Sequence, residues 1–394
     1  MNSTELTMSA GIDQVVSKFE KRYEEFFGPK GGPVFAVRGP DGKQHLLGGR
    51  DPEFTIVARD QRSLDALGTL DTLVVAESYM SGGLDVEGDF DAVFTHRNFF
   101  IDRHPLITAW HMYSPKVRGQ VKADAEHISE HYDMPPAFFQ SWLDPRHRCY
   151  SHGVFKCDDE PLEDAISRKI DFALTSIGAK PGDRVLDVGG GWGAFTETAG
   201  KRGIRVTSLT ISRESEKFIN EMIARENLPC EVKYQHLHEH KPSELYDGIV
   251  ILGVTEHLPD YDAALAIYKK LLKPGGKVYL DACAKRKKYD ISSFLRKHIF
   301  PGNGSPMCLH DYLRAVAESP FQVEVVHDDR HNYALTVRAW AERFEAARDE
   351  IVKHWGESHF RKFRVYLWGI YNSFNRDDMQ AYRVVLQLPS VEYS

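Results

Sequence analysis

Cysteine is scarce. The 394 residues hold five, at 149, 157, 230, 283 and 308, an odd number with no CxxC pair. That set excludes a disulfide framework and a Cys-ligated zinc site, and it suits free thiols in a reducing cytosol. No metal is expected. Long apolar runs are also missing, since none reaches the ~18 residues that a membrane span needs. Met1 to Met8 lacks the basic and apolar regions of a secretory signal, so a cytoplasmic location is expected. There is no excess of positive charge: 50 Lys and Arg stand against 57 Asp and Glu, for a net charge of −7. A nucleic-acid partner is excluded on that ground. No internal repeat or low-complexity segment occurs. What is present is ordinary for a globular protein, with 42% hydrophobic and 27% charged residues, in a chain long enough for two or three domains.

Three textures follow along the chain. Residues 1–100 read as a small α+β domain. Pro33–Arg38, a turn at Pro40-Asp41-Gly42, and Gln44–Leu47 predict a hairpin. Phe54–Ala58 predicts a strand, and Leu64 to Tyr79 has helical periodicity. Residues 101–155, rich in His, Tyr and Trp, read as a linker with cap helices. From 156 to 394 strands and helices alternate. Helix 160–177, strand 184–188, strand 206–210, strand 248–252, helix 262–272, the turn Lys273-Pro-Gly-Gly276 and strand 277–281 predict a doubly wound α/β sheet. A strand, long amphipathic helices and a last strand at 383–387 close the chain.

The most informative stretch is Arg184 to Phe195. Val185, Leu186 and Val188 read as a buried strand that ends near Asp187. Gly189, Gly190, Gly191, Trp192 and Gly193 follow, and a helix starts near Ala194. Strand, glycine loop and helix let main chain approach a nucleotide-like ligand. The spacing departs from the dinucleotide GxGxxG and fits the S-adenosylmethionine (SAM) loop of Rossmann-like methyltransferases. SAM is therefore the expected cofactor, with Asp187, Gly189, Gly191, Trp192 and Gly193 beside it. Thr210 and Ser212 end the next strand, where many SAM enzymes carry an acid for the ribose. Glu256 and His257 follow the 248–252 strand, at the sheet edge where ligands bind in this architecture. Two other segments each allow two readings. His131-Tyr132-Asp133 to Phe155 is either an aromatic cover or a cap whose Tyr132, Tyr150 and Ser151 hydroxyls reach the methionyl group. Lys285–Lys288 with Arg296, Lys297 and His298 is either a solvated loop or a patch for anionic lipid headgroups.

Taken in order, these segments resemble the cyclopropane fatty acid synthase family, full-length bacterial type. The resemblance rests on Glu77-Ser-Tyr-Met80, His131-Tyr-Asp133, Tyr150-Ser151, Leu186–Gly193, Val206–Ser212, Glu256-His257, Ile299-Phe-Pro-Gly302, His331-Asn-Tyr333 and Phe363–Tyr366. It implies a Rossmann-like class I SAM methyltransferase domain that adds a methyl group to a cis double bond of a phospholipid acyl chain. A cyclopropane ring, or a methyl or methylene group, results. It also implies a bound bicarbonate as base, held by a Cys, a Glu, a His and a Tyr. Glu256 and Tyr333 match that set, but the Cys position holds His152 and the His position holds Asp281. Bicarbonate is therefore doubtful, and Asp281, helped by His152, is expected to act as the base. Expected partners are an unsaturated acyl lipid at an anionic membrane surface and a second copy of the chain. A methyltransferase for a soluble small molecule, such as an amine or a natural-product intermediate, is the alternative. A lipid-binding protein with a relic SAM fold is a third reading.

Overall fold

The computed structural model describes residues 11–95, 97–104, 134–302 and 304–391. They form two compact units. One comprises Met1–Pro105, Ser292–Phe294 and Arg348–Asn372; the other comprises Leu106–Ile291, Leu295–Ala347 and Ser373–Ser394. The expected third region, 156–394, is thus divided between them.

In the smaller unit, β1 (Phe35–Arg38), β2 (Gln44–Leu47), β3 (Phe54–Ala58) and β4 (Leu84–Gly88) form a sheet in the order β2-β1-β3-β4. The expected hairpin is there, with Phe35 opposite Leu47. The 64–79 periodicity is split into helices Gln61–Leu67 and Thr72–Met80. Leu70 turns to φ 55° between them. Asp71 then accepts N–H bonds from Leu73 and Val74, both 3.0 Å, and so starts a new helix. The late segment belongs to this unit because Arg361 donates to Tyr79 O (3.2 Å), Leu84 O (3.0 Å) and Asp85 Oδ2 (3.2 Å). A guanidinium with that many partners is compensated for its burial.

The larger unit is a seven-stranded sheet of β5 (Arg184–Val188), β6 (Arg205–Thr210), β7 (Glu231–Tyr234), β8 (Tyr246–Leu252), β9 (Leu272–Ala284), β10 (Gln322–Asp328) and β11 (Gln380–Gln387). Its order is β10-β11-β9-β8-β5-β6-β7. β5 pairs in parallel with β6 on one side and β8 on the other. The chain runs from β5 outward through β6 and β7, then returns to β8, so the strand order reverses beside β5. Ligands bind at such a switch point, outside the carboxyl ends of the strands. β11 is antiparallel to both its neighbours. The expected fold, a Rossmann-like α/β methyltransferase domain with a small α+β companion, is borne out. One local detail differs. Lys273–Gly276 does not precede β9 but bulges within it, where the register jumps from Tyr246↔Leu272 to Gly248↔Lys277.

Candidate active site

The loop after β5 opens a cleft. Gly189 and Gly191 sit at φ 80° and 52°, a region that side chains rarely enter. A Cβ on Gly189 would stand 2.3 Å from Val254 Cγ2, whereas one on Gly191 would meet nothing nearer than 3.9 Å. At Gly191, then, bare main chain faces open space. The cleft there encloses about 1130 Å³ of non-protein space, part of it open to solvent. Of the expected cofactor residues, Tyr150, Ser151, Asp187, Gly189, Gly191, Trp192, Thr210 and Ser212 line it. Gly193 is not among the lining residues. It starts the helix Ala194–Lys201, and a Cβ there would press on Met222 Cε at 2.9 Å, so its smallness serves packing. Tyr132, with the whole His131-Tyr-Asp133 motif, lies outside the described residues.

The lining also includes Ser215, where the resembled family has a Gln, and four residues that the sequence does not single out: Arg148, Gln235, His236 and Leu237. Gln235 and His236 follow directly on β7, whose partner is β6. They bring an amide and an imidazole to the edge where no acid follows Thr210. In the sequence only the four-residue strand Glu231–Tyr234 before them marks this pair. Ser215 donates to Gly191 O at 2.6 Å and steadies the glycine loop. Asp187 accepts from Thr196 (2.9 Å) and Ser208 (3.2 Å), and burial pushes its carboxyl up to about 6 against these bonds.

Beside the cleft the structure gathers the acidic candidates. The turn Thr255–His257 follows β8, and Gly253, Val254, His257 and Leu258 line the cleft. Glu256 Oε1 accepts the Cys283 N–H at 2.7 Å. Among the described residues its buried Oε2 has no hydrogen-bond partner. Burial pushes this carboxyl up to about 7, aided by the charge of Asp281 and opposed by bonds from Cys283. Asp281 is fully buried on β9, and its Oδ1 takes the Gly253 N–H at 2.9 Å. Its Oδ2 lies 3.6 Å from Lys169 Nζ, also fully buried, on the helix Leu162–Ser176. The sequence reading missed Lys169, because a lysine inside an amphipathic helix reads as surface.

His152 and Tyr333 come together too. Their rings stack with centroids 4.9 Å apart, and Tyr333 stacks on Phe374 at 4.3 Å. His152 is fully buried, and its Nε2 meets Asp329 Oδ2 at 3.0 Å. Arg383, opposite Asp281 on β11, also binds Asp329 through Nε and, at 3.1 Å, through a terminal nitrogen. Burial would raise Asp329, but His152 and Arg383 outweigh it and hold the carboxyl well below its usual range. The expectation that His152 helps Asp281 is therefore corrected. Its hydrogen bond goes to Asp329, and the cation beside Asp281 is Lys169.

The aromatic segment packs as a cover. Tyr150 has Phe139, Trp142 and Trp340 with ring centroids at 5.5, 5.4 and 5.4 Å. The basic segment is less exposed than its charge suggests. Lys285 Nζ lies 3.0 Å from Asp378, Lys288 Nζ bonds to Pro259 O at 2.8 Å over the Tyr261 ring, and Arg296 is fully buried. Arg286 and Lys287 are exposed.

Comparison with known proteins gives the family and the fold. A family model described as mycolic acid cyclopropane synthetase matches residues 119–384. The chain is 34% identical to the cyclopropane-fatty-acyl-phospholipid synthase of Escherichia coli (strain K12) over 264 residues, which is 65% of this chain and 66% of that enzyme. The match therefore spans just under two thirds of the relative's length. A probable fatty acid methyltransferase of Pseudomonas putida is 27% identical over 362 residues, 89% of this chain and 90% of that protein. Among solved structures, a mycolic acid cyclopropane synthase complexed with S-adenosylhomocysteine (SAH) and CTAB superimposes with a TM-score of 0.62 at 26% identity, covering 67% of this chain and 98% of that one.

Proposed function

The chain belongs to the mycolic acid cyclopropane synthetase family, and we propose that it methylates a cis double bond of an unsaturated phospholipid acyl chain and closes a cyclopropane ring there. When bound, SAM would supply an electrophilic methyl group, its sulfur keeping the electron pair of the broken sulfur–methyl bond and leaving as SAH. That a similar solved structure holds SAH supports SAM as the cofactor, and the open space against bare main chain at Gly191 supports this cleft as its seat. Main chain at Gly191, with Tyr150, Ser151, Thr210 and Ser212 around it, orients the cofactor without a side chain in the way. The relatives' names, one a fatty-acyl-phospholipid synthase and one a fatty acid methyltransferase, support the lipid substrate. A match over 89% of this chain supports counting the smaller unit as part of the same enzyme.

The observation that carries the reading is the buried, unbonded Oε2 of Glu256 at the end of β8. Ring closure needs a proton acceptor. As the alkene carbon bonds to the methyl group, the neighbouring carbon becomes cationic. A methyl C–H bond then breaks, its electron pair closes the ring, and its proton goes to Glu256 Oε2. A carboxyl poised near 7 is half in its basic form at neutral pH. The base role moves here from Asp281, whose oxygens face Gly253 N–H and Lys169. Bicarbonate does not fit: an anion would stand beside the Glu256 and Asp281 carboxyls, and the nearby ammonium of Lys169 is already shared.

Among the described residues no helix is long and apolar enough to cross a membrane. Exposed Arg286 and Lys287 support contact with an anionic lipid surface instead. The test is mass spectrometry of lipids incubated with enzyme and SAM. The expected product is heavier by one methylene and resists hydrogenation at the former double bond. A product that still takes up hydrogen would mean methylene addition. Labelled methyl found only in a soluble amine would overturn the lipid reading.

A further inference from the structure

Lys169 is the least expected group in the larger unit. The other buried residues of its helix are apolar: Leu162, Ala165, Ile166, Ile170, Ala173 and Leu174. A leucine or methionine would fill the same space without the several kcal/mol that burying an ion costs. Burial alone would lower the proton affinity of the ammonium, but Cys149 and Asp281 beside it reverse this and hold it above its ordinary value. Its bonds run to Ser151 Oγ and, at 3.3 Å, to Cys149 Sγ, with Asp281 Oδ2 at 3.6 Å.

Those partners share a property. Cys149 and Ser151 line the cofactor cleft. Asp281 lies behind the opposite wall, where it accepts the Gly253 N–H through both Oδ1 (2.9 Å) and its own main-chain oxygen (3.1 Å). The two walls touch, since a Cβ on Gly253 would lie 3.3 Å from Ser151 Cβ. Glu256 follows Gly253 by three residues. The groups facing its carboxyl are Asp281 and Cys283 from β9 and Tyr261 from the following helix, and Lys169 stands behind Asp281.

We propose that Lys169 is a positioning residue: one buried ammonium ties the 149–151 wall to the 253–254 wall of the SAM cleft and balances the Asp281 charge beside Glu256. The charge part of this rests on the reading of Glu256 as base; the wall part does not. Two consequences differ in kind. Without the tie, the cleft loses its preformed shape and binds SAH more weakly. Without the balance, Glu256 changes its affinity for a proton. Removing the cation leaves Asp281 to repel the Glu256 carboxylate, whereas removing the Asp281 charge leaves the cation to favour it.

The test uses the full chain as Lys169→Met, Asp281→Asn and the double variant, with circular dichroism as a check of folding. SAH affinity is measured by calorimetry, and turnover is followed against pH. In wild type, turnover should climb as pH rises through about 7, as Glu256 gives up its proton. The climb should fall at lower pH in Asp281→Asn than in Lys169→Met, with the two at least about one pH unit apart, the size of a neighbouring-charge effect. The double variant has no unpaired charge and keeps the protein testable if Lys169→Met does not fold. It should bind SAH at least about tenfold more weakly. Unchanged SAH affinity in a folded double variant, together with no shift of the Asp281→Asn profile from wild type, would overturn the proposal. A wild-type profile flat through neutral pH, with Glu256→Gln active, would instead overturn the base assignment and leave the wall tie to calorimetry.

Discussion

The proposed cofactor cleft is walled by glycine main chain, small hydroxyls and apolar side chains, with Arg148, Asp187, His236 and His257 spaced around it, whereas next to it Glu256, Asp281, Lys169, His152, Asp329 and Arg383 bring ionisable side chains into direct pairs in the interior. The first region makes room, and its cost is backbone conformation, met by glycine at φ 52° and 80°. The second region stores charge, and its cost is lost hydration, met by pairing. Within it the pairing is uneven. Asp329 has His152 and Arg383; among the described residues Asp281 Oδ2 and Glu256 Oε2 both lack a hydrogen bond, but Asp281 Oδ2 has the Lys169 ammonium at 3.6 Å. The difference teaches where chemistry belongs. A carboxylate with a cation beside it is structural, and the buried one without such a neighbour has proton affinity left to use.

The largest effect that would sharpen this contrast is expected at Glu256. Glu256→Gln should cut turnover by about 10²–10⁴-fold, the range of a lost general base, while SAH binding stays near wild type. Comparable losses of binding and turnover would mean that the cleft and the charged cluster are one structural unit.

Asp329→Asn should destabilise next most strongly. It leaves the Arg383 guanidinium, 6% exposed, without its carboxylate, and breaking a buried pair this way costs about 3–5 kcal/mol. Denaturant melts at neutral pH would read it. The pH dependence has a sign. The folded protein holds Asp329 below its ordinary value, so its contribution is complete above about pH 3.9 and is lost as pH falls further. Asp187 runs the other way. Pushed up to about 6, it contributes most below about pH 3.9 and loses that contribution as pH rises through 6. Stability should therefore fall less steeply between about pH 4 and 6 in Asp187→Asn than in wild type, the rest of the slope there coming in part from Glu256, whereas Asp329→Asn should leave that slope unchanged.

In the cleft, Gly191→Val should leave the fold intact and weaken SAH at least about tenfold, because a side chain at φ 52° costs roughly 1–2 kcal/mol and projects into the open space. Normal affinity by calorimetry would remove Gly191 from the cofactor site. The smallest effect belongs to the exposed part of the basic segment. Arg286→Gln with Lys287→Gln should weaken binding to anionic vesicles by about 1 kcal/mol per residue at low salt. Lys288→Gln should change it less, since Lys288 is held by Pro259 O and the Tyr261 ring. Equal effects from all three would mean that charge count, not placement, governs the contact.

Much of the cleft was legible in the sequence because its parts are contiguous. Strand 184–188, the glycine loop and the helix after it are one run of residues, and local patterning specifies each step. The hairpin and the parallel strands followed from alternation and turn residues in the same way. The family resemblance placed Glu256, Tyr333, Asp281 and His152 for the same reason: each sits in a short motif. What the sequence could not supply is who pairs with whom. His152 and Asp329 are 177 residues apart, and Lys169 and Asp281 are 112 apart by their numbering. Partners so distant are chosen by the register of β9 against β11 and by the helix that packs over them. Local sequence carries no trace of that choice, and so nothing in the helix pattern marks Lys169 and the basic loop stays open between a solvated loop and a patch for anionic lipid. Burial converts such residues from solvated charges into fixed ones, and burial is decided only when the sheet closes and its faces are covered.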